Sequence, residues 1–253
     1  MTPSYQERFA TPEKVASYEG SEYASDGYAA FVWSIQKKLL ADVLRGVRRE
    51  ADNVRLLDFA CGTGRILAFA GPLVDDAVGV DISAAMVEEA RRKCGDVELV
   101  VGDLIGQPDL VEGEFDVITA FRFLLNVDED TREAALACLR KKMSARGGLF
   151  ICNMHGNRRS LRHPIIAFRK WQRRRRPSES DDRMLAEMTT GEVRALLHRH
   201  GFEIIRQSGF GMVPQALHRT PLRRIFRRLD SWAAGKRATR NISIDTIFVC
   251  EPA

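Results

Sequence analysis

The sequence predicts an α/β fold: a doubly wound, mostly parallel sheet of seven strands, with helices on both faces and two basic helical insertions forming a cap. Two observations carry that expectation. Over residues 54–153, short runs rich in Val, Ile, Leu and Phe alternate with segments of helical spacing, the pattern of parallel strands joined by helical crossovers. Beyond them the alternation breaks, and two further β-like runs, FEIIRQSGF and ISIDTIFVCEP, close the chain.

Each element has its own signal. Phe31, Ile35, Leu39, Val43 and Val47 recur at helical spacing and make Tyr28 to Arg49 a leading helix. VRLLDFA is the first strand and RILAFA starts the helix after it; AVGVDI is the second strand, followed by SAAMVEEARRKC with Ser83 as its N-cap. VELVVGD, FDVITAF and GGLFICN give strands three to five. The helix from about Asp128 to Lys142 places Asp128, Glu129 and Asp130 where its N-terminal dipole favours negative charge. TTGEVRALLHRHGF has a capping box, Thr189 with Glu192, and Gly201 as its stop. Thr220 and Pro221 open a last helix with Leu222, Ile225, Phe226, Leu229 and Trp232 on one side and four arginines on the other. Residues 1–50 thus hold an N-terminal segment and the leading helix, and 51–253 one domain with insertions at about 154–188 and 210–243.

With 253 residues, 45% hydrophobic and 29% charged, the composition is that of an ordinary globular protein. No apolar run reaches the roughly 18 residues of a spanning helix, and the polar start MTPSYQERFA lacks a signal-peptide block, so a cytoplasmic protein is expected. The five cysteines (Cys61, Cys94, Cys138, Cys152, Cys250) form no CxxC pair and have no histidine at metal-ligand spacing, which predicts reduced, packed thiols. The net charge of +5 is unevenly spread: residues 154–188 hold ten Lys/Arg against four Asp/Glu, and 210–243 hold eight against one. Two basic attachments on an acidic body predict an anionic partner.

The chemistry starts at LLDFACGTGR, Leu56 to Arg65. At the carboxyl end of a first strand, Gly62 and Gly64 let the loop curl and let a ligand touch main chain, and Asp58 can accept hydrogen bonds from a cationic group. A dinucleotide site needs G-x-G-x-x-G, but the third glycine position holds Leu67; a phosphate-binding P-loop needs G-K-[ST], which is absent. The D-x-A-x-G-x-G pattern resembles motif I of class I, Rossmann-like S-adenosylmethionine-dependent methyltransferases, over about residues 54–153. The resemblance implies that Asp58, Ala60, Cys61, Gly62 and Gly64 cradle the amino-acid end of S-adenosylmethionine. It further implies that Asp81, with Ile82 beside it, takes the ribose hydroxyls, although an NAD site uses the same device. Asp103 and Leu104 would meet the adenine, and Phe121 and Arg122 would line the methionine end. Segments ahead of the sheet often form a lid in this family, which makes Tyr5, Tyr18, Tyr23 and Tyr28 candidates for contact with cofactor or acceptor.

Methyl transfer from a sulfonium depends on positioning and exclusion of water, so few catalytic side chains are required. Enzymes that methylate planar nitrogen often carry [DN]-P-P-[YF] after strand four; FRFLLN replaces it here and argues against such an acceptor. Strand five runs out through Asn153 to His155, and an imidazole with pKa near neutrality suits a general base for a hydroxyl; His163 is the weaker rival. No carboxylate cluster points to a metal. The two basic insertions are read as a cap with its apolar side inward, or as a contact with an anionic membrane surface. FRFLLN, HGN and the basic C-terminal insertion together loosely resemble bacterial methyltransferases of cell-surface polysaccharide assembly. This implies O-methylation of a small molecule or sugar, with a phosphate-, nucleotide- or lipid-linked acceptor, and a location in the cytoplasm or at the inner membrane surface. The alternatives are an RNA methyltransferase, for which no RNA-binding signature is found, and a non-catalytic cofactor-binding interaction protein.

Overall fold

In the computed structural model, which describes residue 15, residues 27–174 and residues 186–253, one sheet of seven strands organises the chain. The strands are β1 (Arg55–Phe59), β2 (Asp76–Asp81), β3 (Glu98–Val101), β4 (Val117–Ala120), β5 (Leu149–His155), β6 (Phe202–Phe210) and β7 (Asp245–Pro252), in the order β3-β2-β1-β4-β5-β7-β6. The first five pair in parallel, and β7 slots antiparallel between β5 and β6. The helices are α1 (Tyr28–Glu50), α2 (Arg65–Ala70), α3 (Ala84–Cys94), α4 (Glu129–Lys142), α5 (His163–Arg174), α6 (Thr190–Arg199) and α7 (Arg223–Ala233).

The central strands read as unbroken apolar runs because both their faces are covered. Leu57, Ile118, Phe150 and Phe248 belong to one core layer with Leu136 and Leu139 of α4 and Leu196 and Leu197 of α6. Leu56, Val117, Ile151 and Val249 belong to the other, with Phe31, Ile35, Leu40 and Leu44 of α1. The buried stripe of α1 is therefore wider than the five residues the spacing picked out; Leu39, Val43 and Val47 lie at its half-buried margin. The predicted caps form: Ser83 accepts from Met86 N, Asp128 from Thr131 N, and the Thr189–Glu192 box closes in both directions.

The two insertions are tied to the sheet where they leave and re-enter it. Gly156 N and Asn157 N both donate to Ile244 O, at 3.0 and 3.1 Å. The buried Asn157 side chain donates to the carbonyls of Asn241 and Ser243. The exit of β5 is thus stitched to the entry of β7.

Helix α7 departs from the expectation of an apolar side turned inward. Its inner face is Phe226, Arg227, Asp230 and Ala233, while Leu222, Ile225, Leu229 and Trp232 are exposed. The reason is a buried carboxylate: Asp230 Oδ1 accepts from Met212 N at 2.9 Å and Val213 N at 3.1 Å, and Oδ2 meets His218 Nε2 at 3.0 Å. Three polar partners outweigh the apolar side, because an unpaired buried carboxylate is far costlier than an exposed leucine. Asp230→Ala strands those three partners and should destabilise the protein by about 3 kcal/mol or more. Leu229→Ala, on the outer side, should change stability by about 0.5 kcal/mol or less. Urea denaturation followed by circular dichroism checks both.

Candidate functional site

Strands β1 and β4 are neighbours in the sheet but lead to crossovers on opposite sides, so a crevice opens at their carboxyl ends, the place where open α/β sheets bind ligands. Asp58 sits at this switch point. Its Oδ1 accepts from Thr119 Oγ1 at 2.6 Å, across the β1–β4 register. Its Oδ2 is buried and has no hydrogen-bond partner among the described residues. Burial pushes the carboxyl up to about 7, against the opposing pull of the Thr119 hydroxyl and the Arg65 charge. An orphaned buried acceptor at the mouth of a crevice leaves capacity for a hydrogen-bond donor that is not part of the chain.

The loop after β1 is bent by three left-handed residues, Ala60 at φ 54°, Gly62 at 55° and Gly64 at 77°. The two glycines do different work. A Cβ on Gly62 would project into open space, so this is where a ligand can lie against main chain. A Cβ on Gly64 would fall 2.5 Å from Cys94 Sγ and 2.9 Å from Ala90 Cβ, so Gly64 lets α2 and α3 approach. Cys61 is buried between them, with its thiol pKa raised by burial, and its N–H donates to Val80 O on β2.

Asp81, at the end of β2, binds this loop to its own strand. Oδ2 accepts from Gly62 N and Oδ1 from Ser83 N, both at 2.9 Å. Burial raises its pKa and these amides lower it. A carboxylate offers about four lone-pair sites, so capacity for two hydroxyls remains. Ile82 follows, half-buried. Asp103 is exposed at the rim and its Oδ1 holds the turn by accepting from Ile105 N at 3.0 Å. Leu104 lies behind that rim in the core, at 1% exposure, and is not open to a ring. Phe121 is also buried, and Arg122 adopts a left-handed φ of 58°. That turn is fixed from two sides: Arg122 N donates to the buried Asn153 Oδ1, and Asn126 Nδ2 donates to Arg122 O. Two non-glycine residues in left-handed conformation, Ala60 and Arg122, cost roughly 1–2 kcal/mol each and both stand at this crevice.

Beyond Asn153 a second cluster gathers on the antiparallel side. His155 ends β5 directly opposite Asp245 at the start of β7. The residue as a whole is half-buried, but both ring nitrogens are buried and neither has a partner among the described residues. Burial and the nearby Arg122 charge push its pKa down to about 3. This corrects the expectation of a near-neutral imidazole: the site is too dry and too positive for one. Asp245 responds oppositely and is pushed up to about 7 by burial, with Arg162 and Arg122 opposing and Asp230 adding to the rise. Tyr28, the described member of the four tyrosines, heads α1; its hydroxyl accepts from Arg162 Nη1 at 2.7 Å, and the guanidinium carbon lies 5.1 Å from its ring centroid. Tyr5, Tyr18 and Tyr23 lie outside the described residues. Gly211, at φ 77°, closes the group: a Cβ there would fall 2.6 Å from Tyr28 Oη and 3.2 Å from Asp245 Oδ2. His163 heads α5, its N–H donating to Ser160 O.

Sequence reasoning missed Asp245, Arg162 and the His218–Asp230 pair. Asp245 had one visible signal, an acidic residue inside the β-like run ISIDTIF.

Residues 56–147 match the family model described as a methyltransferase domain. A demethylmenaquinone methyltransferase from Beutenbergia cavernae is 41% identical over 76 residues, a match that covers 29% of this chain and 30% of that relative's length. Among solved structures, a magnesium protoporphyrin IX methyltransferase from Synechocystis with bound S-adenosylhomocysteine superposes with a TM-score of 0.64 at 14% identity, covering 98% of each chain. A methyltransferase from Thermotoga maritima, described as a possible histamine N-methyltransferase, gives 0.59 at 18% identity, covering 94% of this chain and 96% of that one. At these identities the structural likeness is one of fold. The fold is class I and Rossmann-like, residues 56–147 form a methyltransferase domain, and the magnesium protoporphyrin IX methyltransferase structures hold S-adenosylhomocysteine or S-adenosylmethionine. The orphaned Asp58 oxygen and the open side of Gly62 fit that group.

The glycine loop yields a direct comparison. Gly62→Ala should cost about 1–2 kcal/mol from its left-handed backbone alone, and Gly64→Ala should cost more because its new methyl also meets Cys94 and Ala90. Urea midpoints of the two variants measured side by side provide the check.

Proposed function

We propose that this chain, with a class I methyltransferase domain over residues 56–147, transfers a methyl group from S-adenosylmethionine to a hydroxyl of a small, anionic acceptor. The observation that carries the reading is the pairing of two raised carboxyls on one sheet edge, Asp58 at the donor crevice and Asp245 at the acceptor side. Bound in the crevice, S-adenosylmethionine supplies an electrophilic methyl on a sulfonium. Asp58 receives the donor's ammonium, Asp81 its ribose hydroxyls, and Asp103 its adenine amino group. The main chain at Gly62, open on its Cβ side, would take the amino-acid end.

On the acceptor side, Asp245 is the better proton acceptor. A base works best when its pKa lies near the working pH; Asp245 meets that condition and His155 does not. We assign His155 to the neutral wall of the pocket, where its unpartnered nitrogens can hydrogen-bond the acceptor. Arg122 and Arg162 lie close enough to Asp245 to oppose its raised pKa, and they supply positive charge for an acceptor bearing phosphate or carboxylate, including a sugar in phosphate-, nucleotide- or lipid-linked form. The missing [DN]-P-P-[YF] segment and the dry, cationic surroundings support oxygen over planar nitrogen.

Incubation with methyl-labelled donor and fractionated cell extract, followed by mass spectrometry, should yield a labelled small molecule that loses label with Asp245→Asn. Label found only in RNA, or in no fraction, would overturn the reading. With the product in hand, kcat should rise through about pH 7 as Asp245 loses its proton; Asp245→Asn should remove that limb, while His155→Ala should keep it at a reduced rate.

Donor binding has its own pH dependence. Asp58 keeps its proton up to about pH 7 in the free protein, and a neutral carboxyl holds a cation poorly. Affinity for S-adenosylmethionine should therefore increase from pH 5 to about 7 and level off above it. The same raised pKa makes the Asp58 contribution to stability decline over the window from the ordinary carboxylate range up to about 7, because the unfolded chain has already released that proton. Calorimetric titration at several pH values should show the trend abolished in Asp58→Asn. Asp81→Ala should weaken binding by about 1.5–3 kcal/mol for each hydrogen bond lost.

A further inference from the structure

Helix α7 presents the wrong side to water. Leu222, Ile225, Leu229 and Trp232 follow the i, i+3, i+7, i+10 spacing of one helical stripe, and they are 57, 54, 49 and 69% exposed. An amphipathic helix of a globular domain normally buries such a stripe. Here the helix is fixed in the opposite sense by the buried Asp230 carboxylate, whose three partners leave no freedom to roll the stripe inward. The outward setting is therefore built in.

The stripe is bordered by exposed Arg223, Arg224 and Arg228, with Lys236 and Arg237 just beyond the helix end. Across residues 210–243 there is a single acidic residue, Asp230, and it is buried. The other insertion repeats the combination. Leu161, just before α5, and Ile165, Phe168 and Trp171 within it are exposed, with the Phe168 and Trp171 rings stacked 5.8 Å apart. Both helices rise from the acceptor cluster: Arg162, at the foot of α5, holds Tyr28, and the His218 ring, fixed by Asp230 of α7, meets the same tyrosine edge-on at 5.0 Å.

We infer that α7, assisted by α5, docks this protein on an anionic lipid bilayer, with Leu222, Ile225, Leu229 and Trp232 entering the boundary between headgroups and acyl chains and the arginines meeting lipid phosphates. Charge decides the occupant. A second copy of the chain would set one strongly basic segment against another, whereas an anionic bilayer offers apolar depth and negative charge together. No helix among the described residues is long and apolar enough to cross a membrane, so the contact is interfacial. A chain lying on the membrane by these two helices has its acceptor cluster at their common base, where a lipid-linked acceptor arrives directly.

The test is made without methyl donor, so it stands or falls independently of the proposed reaction. The full-length protein is floated with vesicles of phosphatidylcholine, with and without phosphatidylglycerol. It should float with the anionic vesicles only, and added salt should release it. Trp232→Glu and Leu229→Glu should each reduce binding roughly tenfold or more while leaving the circular dichroism spectrum unchanged. Tryptophan emission should shift to the blue on vesicle binding, and Trp232→Phe should remove a large part of that shift. Absence of binding to the anionic vesicles, undiminished binding by the glutamate variants, or lipid-free dimers that these variants convert to monomers would each overturn the inference.

Discussion

A single buried carboxyl organises the crevice at the carboxyl ends of β1 and β4. Asp58 lies where the sheet reverses its winding, anchored through one oxygen to Thr119 on the neighbouring strand and left without a donor on the other. Apolar packing alone does not account for a buried acidic group, since an uncompensated one costs free energy. The surrounding residues are arranged to tolerate it. Asp81, equally buried, is compensated by two backbone amides, one from the glycine loop itself. The loop's position is thus locked to β2 while Asp58 waits beside it, and the strained Ala60 and Arg122 turns frame the same opening.

Opposite solutions serve the cluster between β5 and β7. There the buried acid Asp245 stands across the ladder from His155 and near two arginines, and the chain brings in groups from four separate elements. Arg162 orients Tyr28, and Gly211 admits both the tyrosine hydroxyl and the Asp245 carboxylate because it carries no side chain. The crevice after β1 is built largely from one continuous stretch; the cluster around Asp245 is assembled from residues more than two hundred positions apart.

That difference explains what the sequence alone revealed. Strand order up to β5, the caps at Ser83, Asp128 and Thr189, and the acidic strand ends Asp58, Asp81 and Asp103 were legible because each depends on local periodicity or a short motif. The partition of labour between Gly62 and Gly64 was not, since it depends on Cys94 and Ala90 in the next helix. The protonation of His155 was misjudged because dryness and the Arg122 charge are properties of the folded neighbourhood. Asp245 was hidden because the antiparallel register of β7 decides which end of that strand reaches the edge. The direction of the α7 stripe, inward as a cap or outward to a membrane surface, stayed open for a related reason: binary pattern identifies an apolar side but not its direction, which one buried aspartate sets.

The hairpin formed by β6 and β7 has an evolutionary consequence. Phe210 and Asp245 face each other in the ladder, so the excursion between them, apart from Gly211 and the Asn241–Ile244 stretch that the sheet itself holds, leaves and returns at adjacent points. Lengthening such an excursion is cheap, since closure entropy grows only logarithmically with chain length. That excursion can therefore vary in length and surface while the crevice at β1 and β4, on the far half of the sheet, is left unchanged.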